Sequence, residues 1–305
     1  MSQSTTVPYK PDISPGRSPS RWRKHLWGYL FLLPAAAVFF TFLWMPIGKG
    51  MLFSFYHIDF VKGDTFVGWD NYAKIFKDPE VGIAVRNTLY YMLLCLLIGF
   101  WVPILFAIAI SEMRRFQGFA RIAAYLPYVV PVVVLYGLWR WLYDPVGPIN
   151  GVLTAMGLDS VLFLTDKAWS MISIVIMETW QSFGSALLIY LAAVLGIPRD
   201  WYEAAEIDGA GVWKRIRHIT LPAIRSSIVL LLLLQLIATS QSFQSQFAML
   251  DGGPNNATLT YALVVIRYAF TRQDYGTASA LGVLMFLVLS LLAILQYRIS
   301  NRKEA

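Results

Sequence analysis

Residues 197–225 read IPRDWYEAAEIDGAGVWKRIRHITLPAIR and form a charged segment between two long apolar stretches, residues 170–195 and residues 228–248. Each apolar stretch has the roughly 20 residues that a helix needs to cross a bilayer. The charged segment is therefore predicted to be a loop that connects two transmembrane helices.

The rest of the chain follows the same pattern. Of its 305 residues, 57% are hydrophobic and only 14% are charged, whereas a soluble domain carries about 25% charged residues. A soluble helical core is excluded because the apolar runs offer no polar face to water. We predict an all-α polytopic membrane protein with six transmembrane helices, over residues 26–45, 88–110, 122–141, 170–195, 228–248 and 278–297.

The domain boundaries follow from these spans. Residues 1–25 are rich in Ser, Pro, Lys and Arg and are predicted to be a flexible tail. The first transmembrane helix is placed within residues 26–48 and an extracytoplasmic loop at 49–86. A core domain covers 87–298, including the 197–225 loop, and a second tail covers 299–305. Residues 259–270 are apolar but too short to span, so we expect them at the outer surface or partway into the membrane.

The orientation is predicted from the basic residues. Most of the 25 Lys and Arg residues fall in the N-terminal tail, the loop after the second span, the 197–225 loop and the C-terminus. Cytoplasmic loops carry such an excess of Lys and Arg. Both termini are therefore predicted to be cytoplasmic.

The 197–225 loop is predicted to contain two short helices. Asp200 is expected to cap the first helix, and Glu203 lies in its first turns, where a carboxylate suits the helix dipole. Gly209 is expected to end this helix, and Pro222 is well placed to begin the next span. A short helix with small residues flanked by charge is suited to a groove on a protein partner.

The loop also contains the pattern Glu-Ala-Ala, three residues, Gly, nine residues, Ile, one residue, Leu-Pro. It resembles the signature loop of binding-protein-dependent ABC importer permeases. The sequences FVGWDNY at 66–72, GPIN at 147–150 and DGGP at 251–254 resemble parts of the carbohydrate-uptake branch, the maltose or glycerol-phosphate type. The residues implied to couple the chain to an ATPase are Glu203, Ala204, Ala205, Asp208, Gly209, Ile219, Leu221 and Pro222.

This resemblance implies a type I ABC importer-like fold in a bacterial or archaeal plasma or inner membrane. It implies three kinds of protein partner: a second homologous permease, two ATPase subunits and an extracytoplasmic solute-binding protein. The chain contains no GxxxxGK[ST] phosphate loop, so ATP and Mg²⁺ are expected on the partner ATPase. We expect no cofactor, metal site, catalytic residue or nucleic-acid partner for this chain.

Two spans carry polar stripes that are candidates for a substrate path. Polar side chains in a span are costly and usually face a cavity; hydrogen bonding between helices is the alternative. The spacing i, i+3, i+4, i+7 places the first stripe on one helix face. The resemblance implies that the same helix turns contact the sugar. By this resemblance the contacts also include Ala238, which is small and apolar. The stripe residues are Glu178, Gln181, Ser182 and Ser185 in the fourth span, and Gln235, Thr239 and Ser242 in the fifth.

Four other functions are alternatives to an ATP-driven importer of a sugar or oligosaccharide. One of them, a purely structural or signalling subunit, is opposed by the signature loop. The solute could be a polyol or of the glycerol-phosphate type, although phosphate favours Arg or Lys in the path and the stripes carry neither. A secondary carrier would show paired repeats or ion-coupling carboxylates, and the spans offer only Glu178. A membrane-embedded enzyme would need a catalytic cluster, and none is visible. The single cysteine, Cys95, is predicted to be a small buried residue.

Overall fold

The computed structural model of the protein describes residues 21–113 and 115–301. Most of the predicted N-terminal tail and the last four residues lie outside this range. The chain divides into two compact units, Met1–Leu52 and Phe53–Ala305. They are described separately.

The described part of the first unit, residues 21–52, lies in one helix, α1, which ends at Phe53. It comprises Arg21–Phe39, a π-helical turn at Phe40–Trp44, and Met45–Phe53. Its apolar part, Gly28–Phe53, is long enough to cross a membrane. The sequence predicts an outer loop from residue 49, but the helix continues to Phe53. Pro34 lies inside the helix without ending it, as proline often does in transmembrane helices.

The second unit contains a small antiparallel ribbon, in which Tyr56 pairs with Phe66, and a bundle of helices. In chain order the elements are β1 Tyr56–His57, β2 Thr65–Phe66, α2 Asp70–Lys77, α3 Pro79–Ser111, α4 Gln117–Val129, α5 Val132–Leu142, α6 Pro148–Ala155, α7 Lys167–Leu195, α8 Arg199–Ile207, α9 Val212–Ala223, α10 Arg225–Ser240, α11 Gln244–Leu250, α12 Tyr261–Thr271 and α13 Tyr275–Asn301.

The predicted all-α membrane fold is confirmed. Four helices, α1, α3, α7 and α13, are long and apolar enough to cross a bilayer. Two bent pairs, α4 with α5 and α9 with α10, pass the same test when each pair counts as one span. The described residues therefore supply the six predicted spans only if each bent pair crosses once.

Two spans predicted to be continuous are interrupted. In the third, α4 ends at Val129, and Val130 and Pro131 are extended, so that α4 and α5 meet at 95°. Pro131 causes this break because a proline lacks an N–H and disfavours helical backbone in the residue before it. The fifth span is predicted to reach residue 248, but α10 ends at Ser240 and a new helix begins at Gln244.

The second span begins earlier than predicted. Helix α3 starts at Pro79 rather than near residue 88, because Asp78 accepts a hydrogen bond from the Glu80 N–H at 2.8 Å and caps the helix. The helix has 33 residues, a length of about 50 Å at 1.5 Å per residue. It therefore exceeds the roughly 30 Å hydrocarbon core, and its first turns belong to the predicted outer loop.

An ionic cluster joins the start of α3 to the end of α12. The Arg272 guanidinium donates to Asp78 at 3.0 Å and to Glu80 at 2.6 Å, and it lies 4.3 Å above the centre of the Tyr268 ring. The Tyr268 hydroxyl donates to the same Asp78 carboxylate at 2.5 Å. The cluster ties two segments that are about 190 residues apart in sequence.

Helices α4 and α7 approach closely at Gly184. A Cβ atom at this position would lie 2.3 Å from the Ala124 carbonyl oxygen and 2.9 Å from the Tyr125 Cα. Only a glycine allows this separation, which is typical of small residues where membrane helices cross. The contact positions α7, the helix that carries the first polar stripe.

Candidate functional site

Helices α3, α7 and α10 surround a cavity of about 430 Å³, here called the inner chamber because it lies nearer the 197–225 loop. Tyr91, Cys95 and Tyr190 also line it. The chamber brings together both predicted polar stripes. Its wall includes all seven residues of the sequence prediction, Glu178, Gln181, Ser182, Ser185, Gln235, Thr239 and Ser242, as well as Ala238.

A second cavity of about 390 Å³, the outer chamber, adjoins the inner one. Tyr136 and Phe243 line it together with the amides of Gln241 and Gln244. The two chambers share part of their walls, so they adjoin at the side chains that they share. The shared residues are Glu178, Gln181, Ala238 and Ser242.

Glu178 lies at this junction and links three helices. One carboxylate oxygen accepts a hydrogen bond from the Tyr91 hydroxyl of α3, and the other accepts one from the Ser245 hydroxyl of α11. No Lys or Arg belongs to the described lining of either chamber. Glu178 therefore joins helices as well as lining the predicted path, so the two interpretations of the stripe both apply to it.

Three of the four stripe hydroxyls bond to their own helices, and the fourth, Ser242, donates to Gln246 Oε1 at 3.2 Å. Ser182 donates to the Glu178 carbonyl at 2.7 Å, Ser185 to the Ser182 carbonyl at 2.8 Å, and Thr239 to the Gln235 carbonyl at 2.8 Å. Each hydroxyl has committed its only hydrogen but keeps acceptor lone pairs. These residues therefore present acceptors to the inner chamber, which suits a solute that is rich in donor groups.

Gln181 differs from the other stripe residues. Its side-chain amide has no hydrogen-bond partner within residues 21–113 and 115–301, and it lines both chambers. An amide offers two donor hydrogens and a carbonyl acceptor. Gln181 is therefore the stripe residue best able to bind a hydroxyl-rich solute directly.

The Gln235 side chain donates a hydrogen bond to a π-helical turn in α3. The π-helical turn Cys95–Gly99 leaves the Cys95 carbonyl open to a second donor, and this oxygen accepts from the Phe100 N–H at 2.9 Å and from Gln235 Nε2 at 3.1 Å. A Cβ atom on Gly99 would lie 2.9 Å from the Thr179 hydroxyl oxygen. The turn thus allows α3 to approach α7 and α10, and the Gln235 side-chain oxygen keeps no hydrogen-bond partner in the described part of the chain.

The 197–225 loop folds as a helix, a break and a second helix, as predicted. Gly209 has φ of +72°, a left-handed conformation that favours glycine after a helix. The predicted Asp200 cap is wrong. Pro198 is the capping residue, and Asp200 lies within the first turn of α8 without a side-chain capping bond. The helix starts two residues earlier than predicted because the Pro198 backbone is already extended.

A surface cleft of about 590 Å³ lies between α8 and α9. The Tyr202 hydroxyl is 2.9 Å from that of Thr220, which ties the two helices together. Glu203, Gly209 and Leu221 do not line the cleft, and the Glu203 side chain is exposed. The cleft residues are Trp201, Ala204, Ala205, Asp208, His218, Ile219, Pro222 and Ala223. Their role in coupling stays a prediction.

Three chamber residues, Tyr91, Tyr136 and Tyr190, escape the sequence prediction. Gln241 and Gln244, close to the second stripe in sequence, line the outer chamber, and Ser245 bonds to Glu178 without lining either chamber. The tyrosines could not be identified from the sequence, because a Tyr in an apolar run is as typical of a membrane interface as of a cavity wall. The polar cluster at residues 240–246 is a usable signal, since so many polar groups rarely face lipid. In the part of the chain that the structure describes, no group of three or more His, Cys, Asp and Glu side chains could hold a metal.

Adjoining polar chambers within a helix bundle, together with a separate cleft on a charged loop, define a membrane transport permease. Residues 99–305 match the family described as binding-protein-dependent transport system inner membrane component. The chain belongs to this family, and the predicted ABC importer permease class and fold are confirmed.

Similar proteins cover nearly the whole chain. The diacetylchitobiose uptake system permease protein NgcF of Streptomyces coelicolor is 34% identical over 286 residues, 89% of this chain and 81% of the relative. The trehalose/maltose transport system permease protein MalF of Thermococcus litoralis is 29% identical over 88% of this chain and 92% of its own length. A crystal structure of a bacterial alginate ABC transporter, in complex with an alginate pentasaccharide-bound periplasmic protein, contains a chain with a TM-score of 0.83 at 27% identity, covering 92% of this chain and 96% of that one.

Proposed function

We propose that this chain forms half of the translocation path of an ATP-driven importer for a sugar or oligosaccharide. The observation that carries this proposal is the pair of chambers lined by acceptor oxygens and free amides, with no cationic side chain in their described lining. Sugar hydroxyls donate and accept hydrogen bonds, and such a lining serves both. The names of similar permeases, which refer to diacetylchitobiose, trehalose, maltose and alginate, support a carbohydrate.

The alternative substrate is a polyol or a glycerol-phosphate-type solute. A phosphate would place its negative charge beside Glu178 without the Arg or Lys that usually binds it. Uptake into proteoliposomes of radiolabelled maltose, trehalose, diacetylchitobiose and glycerol 3-phosphate tests this choice. We expect uptake of at least one sugar and none of the phosphate, and uptake of glycerol phosphate alone would reverse the assignment.

The remaining partners belong to the same proposal. A second homologous permease would complete the path, an extracytoplasmic binding protein would deliver the solute, and two ATPase subunits would bind ATP and Mg²⁺. Helix α8 would insert into a cleft of the ATPase, and the 69° bend between α9 and α10 would carry its motion to the second stripe. The exposed small side chain of Ala204, next to Glu203 on α8, supports this contact.

The coupling role is tested by Glu203→Lys. Glu203 makes no side-chain hydrogen bond or ion pair in the described part of the chain, so the variant should fold and insert normally. We expect lost uptake and lost binding-protein-stimulated ATP hydrolysis, because the charge reversal opposes docking. Glu112→Lys, at an exposed position just after α3, is the matched control and should transport normally. Normal transport by Glu203→Lys would remove α8 from the coupling mechanism.

Cytoplasmic termini are tested by cysteine labelling in a Cys95→Ala background. A cysteine at Gly147 is unsuitable, since its Cβ would lie 2.3 Å from the Trp141 carbonyl oxygen. Val146 is 95% exposed, and Ile207 in α8 is 87% exposed. We expect Val146→Cys to react with an impermeant maleimide only from outside and Ile207→Cys only from the cytoplasm. The opposite pattern would invert the proposed topology.

A further inference from the structure

The inner chamber has a fully buried polar group that the predicted path does not use. Tyr190 of α7 lines this chamber and is only 1% exposed, yet its hydroxyl has no hydrogen-bond partner among the residues that the structure describes. Buried hydroxyls in proteins are nearly always paired, and an unpaired one is costly. The cost suggests that the Tyr190 hydroxyl receives a partner at another stage of the transport cycle.

Most other hydroxyls around the chamber have already committed their hydrogen; the exception is Thr179, whose side chain makes no hydrogen bond in the described part of the chain. The hydroxyls of Ser182, Ser185 and Thr239 donate to backbone carbonyls, and the Tyr91 hydroxyl donates to Glu178. The remaining capacity of these groups is that of acceptors. The Tyr190 hydroxyl is therefore one of few uncommitted donors beside the chamber, with Thr179 and the Gln181 amide, and its oxygen is covered in the present conformation.

The position of Tyr190 gives this donor a place in the path. It follows Glu178 by twelve residues on the same helix, which is about 18 Å along the axis at 1.5 Å per residue. It also belongs to the buried cluster that includes Val194, Ile197 and Ile224, next to the ends of the coupling loop. Tyr190 therefore marks the end of the chamber nearest the loop.

We propose that Tyr190 is a substrate-contact residue at the inner end of the path, where its hydroxyl donates a hydrogen bond to a sugar oxygen during translocation. This proposal rests on the proposed function of a carbohydrate importer. It assigns the solute two contact levels, Gln181 at the junction of the chambers and Tyr190 near the coupling loop. A solute oxygen replaces the partner that the hydroxyl lacks in the present conformation.

The test compares Tyr190→Phe with Tyr143→Phe. The first variant removes only the unpaired hydroxyl. The second removes a buried hydroxyl that donates to the Ser173 carbonyl at 3.0 Å and lines neither chamber. Each variant is reconstituted in the whole transporter with the same binding protein, and kcat/KM is measured for whichever of maltose, trehalose and diacetylchitobiose the wild type takes up.

We expect Tyr190→Phe to lower kcat/KM about 3- to 10-fold, the range for one neutral hydrogen bond, without lowering the melting temperature. Tyr143→Phe should lower the melting temperature and leave kcat/KM unchanged. The test is repeated with monodeoxy analogues of the transported sugar, each of which lacks one hydroxyl. For one analogue, the wild type and Tyr190→Phe should have the same kcat/KM, because that analogue lacks the oxygen to which Tyr190 donates. That result would identify the sugar oxygen that Tyr190 binds.

The failures are distinguishable. Unchanged kcat/KM in Tyr190→Phe for a sugar that the wild type transports would overturn the role of Tyr190 alone. A reduced melting temperature with unchanged kcat/KM would show that the hydroxyl is structural and would also overturn it. A wild type that takes up none of the sugars would overturn both this inference and the proposed function.

Discussion

Tyr91 and Glu178 lie 87 residues apart in sequence, and the Tyr91 hydroxyl donates a hydrogen bond to the Glu178 carboxylate between α3 and α7. The second carboxylate oxygen accepts from Ser245. Two of the three helices that meet at Glu178 also line the inner chamber. A single side chain thus sets the spacing of the chamber wall, and its replacement changes both architecture and path.

Replacing Glu178 separates these two effects. Glu178→Ala should abolish transport and destabilise the protein by about 0.6 kcal/mol for each of its two lost interhelical hydrogen bonds, and at most about 1.7 kcal/mol for each. Glu178→Gln keeps one acceptor oxygen and should be less destabilised. Thermal unfolding in detergent and uptake in proteoliposomes measure the two effects.

The double variant Tyr91→Phe with Ser245→Ala is the control. It removes the two donors but leaves the carboxylate in the path. Loss of transport equal to that of Glu178→Ala would show that Glu178 acts only by joining helices. Unchanged transport in Glu178→Ala with normal assembly would remove Glu178 from the path.

The close approach at Gly184 predicts a large effect of a very small change. Gly184→Ala should destabilise the protein by about 1–3 kcal/mol, because the added methyl meets backbone atoms of α4 that cannot move aside independently. Gly282→Ala in α13 has no heavy atom within 4 Å of the new methyl and should be neutral or slightly stabilising. Equal melting temperatures for the two variants would contradict the α4–α7 contact.

The end of α8 offers a matched pair of glycines. A Cβ added at Gly209 or at Gly211 would meet no heavy atom within 4 Å, but only Gly209 has a positive φ, +72° against −64°. Gly209→Ala should therefore cost about 1–2 kcal/mol through backbone conformation alone. Faster hydrogen exchange of the α8 amides in this variant, and not in Gly211→Ala, is the expected measurement; equal exchange would contradict a conformational stop at Gly209.

The ionic cluster at the start of α3 predicts a loss of stability in acid. Burial favours a raised pKa for Asp78, but hydrogen bonds from Tyr268, the Glu80 N–H and Arg272 outweigh it and hold the pKa below the ordinary 3.8. Asp274, which lies outside this cluster and pairs with Lys74, behaves in the same way. Burial favours a raised pKa for Asp274, but hydrogen bonds from Lys74 and Thr277 outweigh it and lower the pKa. Both groups therefore contribute stability that is complete above pH 3.8 and is lost as the pH falls through their lower folded-state pKa values.

Thermal unfolding followed between about pH 6 and the acid limit of the sample measures this loss, in steps of about half a unit. Asp78→Asn should flatten the acid part of the profile. Asp64→Asn, at an exposed loop position without an ion pair in the described range, should keep the wild-type profile. A profile for Asp78→Asn that matches the wild type would exclude the cluster as the source of the pH dependence.

The sequence is sufficient wherever a feature depends on neighbouring residues. Helical spacing places Glu178 and Gln181 on one face, and both line the same chambers. The left-handed Gly209 is also foreseeable from its position after a short helix. Pro131 carries a readable signal that the prediction of a continuous third span overlooks. These features share one property: their cause lies within a few residues of their effect.

Features that depend on distant residues could not be predicted. Nothing near Tyr91 shows that it faces Glu178, and nothing near Gln235 shows that it binds the Cys95 carbonyl, because both contacts depend on how long helices cross. Tyr190 is equally hidden, since its unpaired hydroxyl is defined by the surroundings and not by its own helix. The Asp200 cap fails for a smaller reason: the competing start at Pro198 is only two residues away.

The π-helical turn Cys95–Gly99 determines how α3 responds to the insertion or deletion of a residue. Such a turn amounts to one residue inserted into an α-helix. Deleting Leu97 would restore regular winding but rotate the first half of α3 against the second by about 100°. Tyr91 would then point away from Glu178, and the Asp78 end of the helix would turn away from Arg272. The extra residue of the π-helical turn therefore sets the rotation between the two halves of α3, so that each half faces its own neighbours. Insertions and deletions in this turn should be tolerated far less than substitutions.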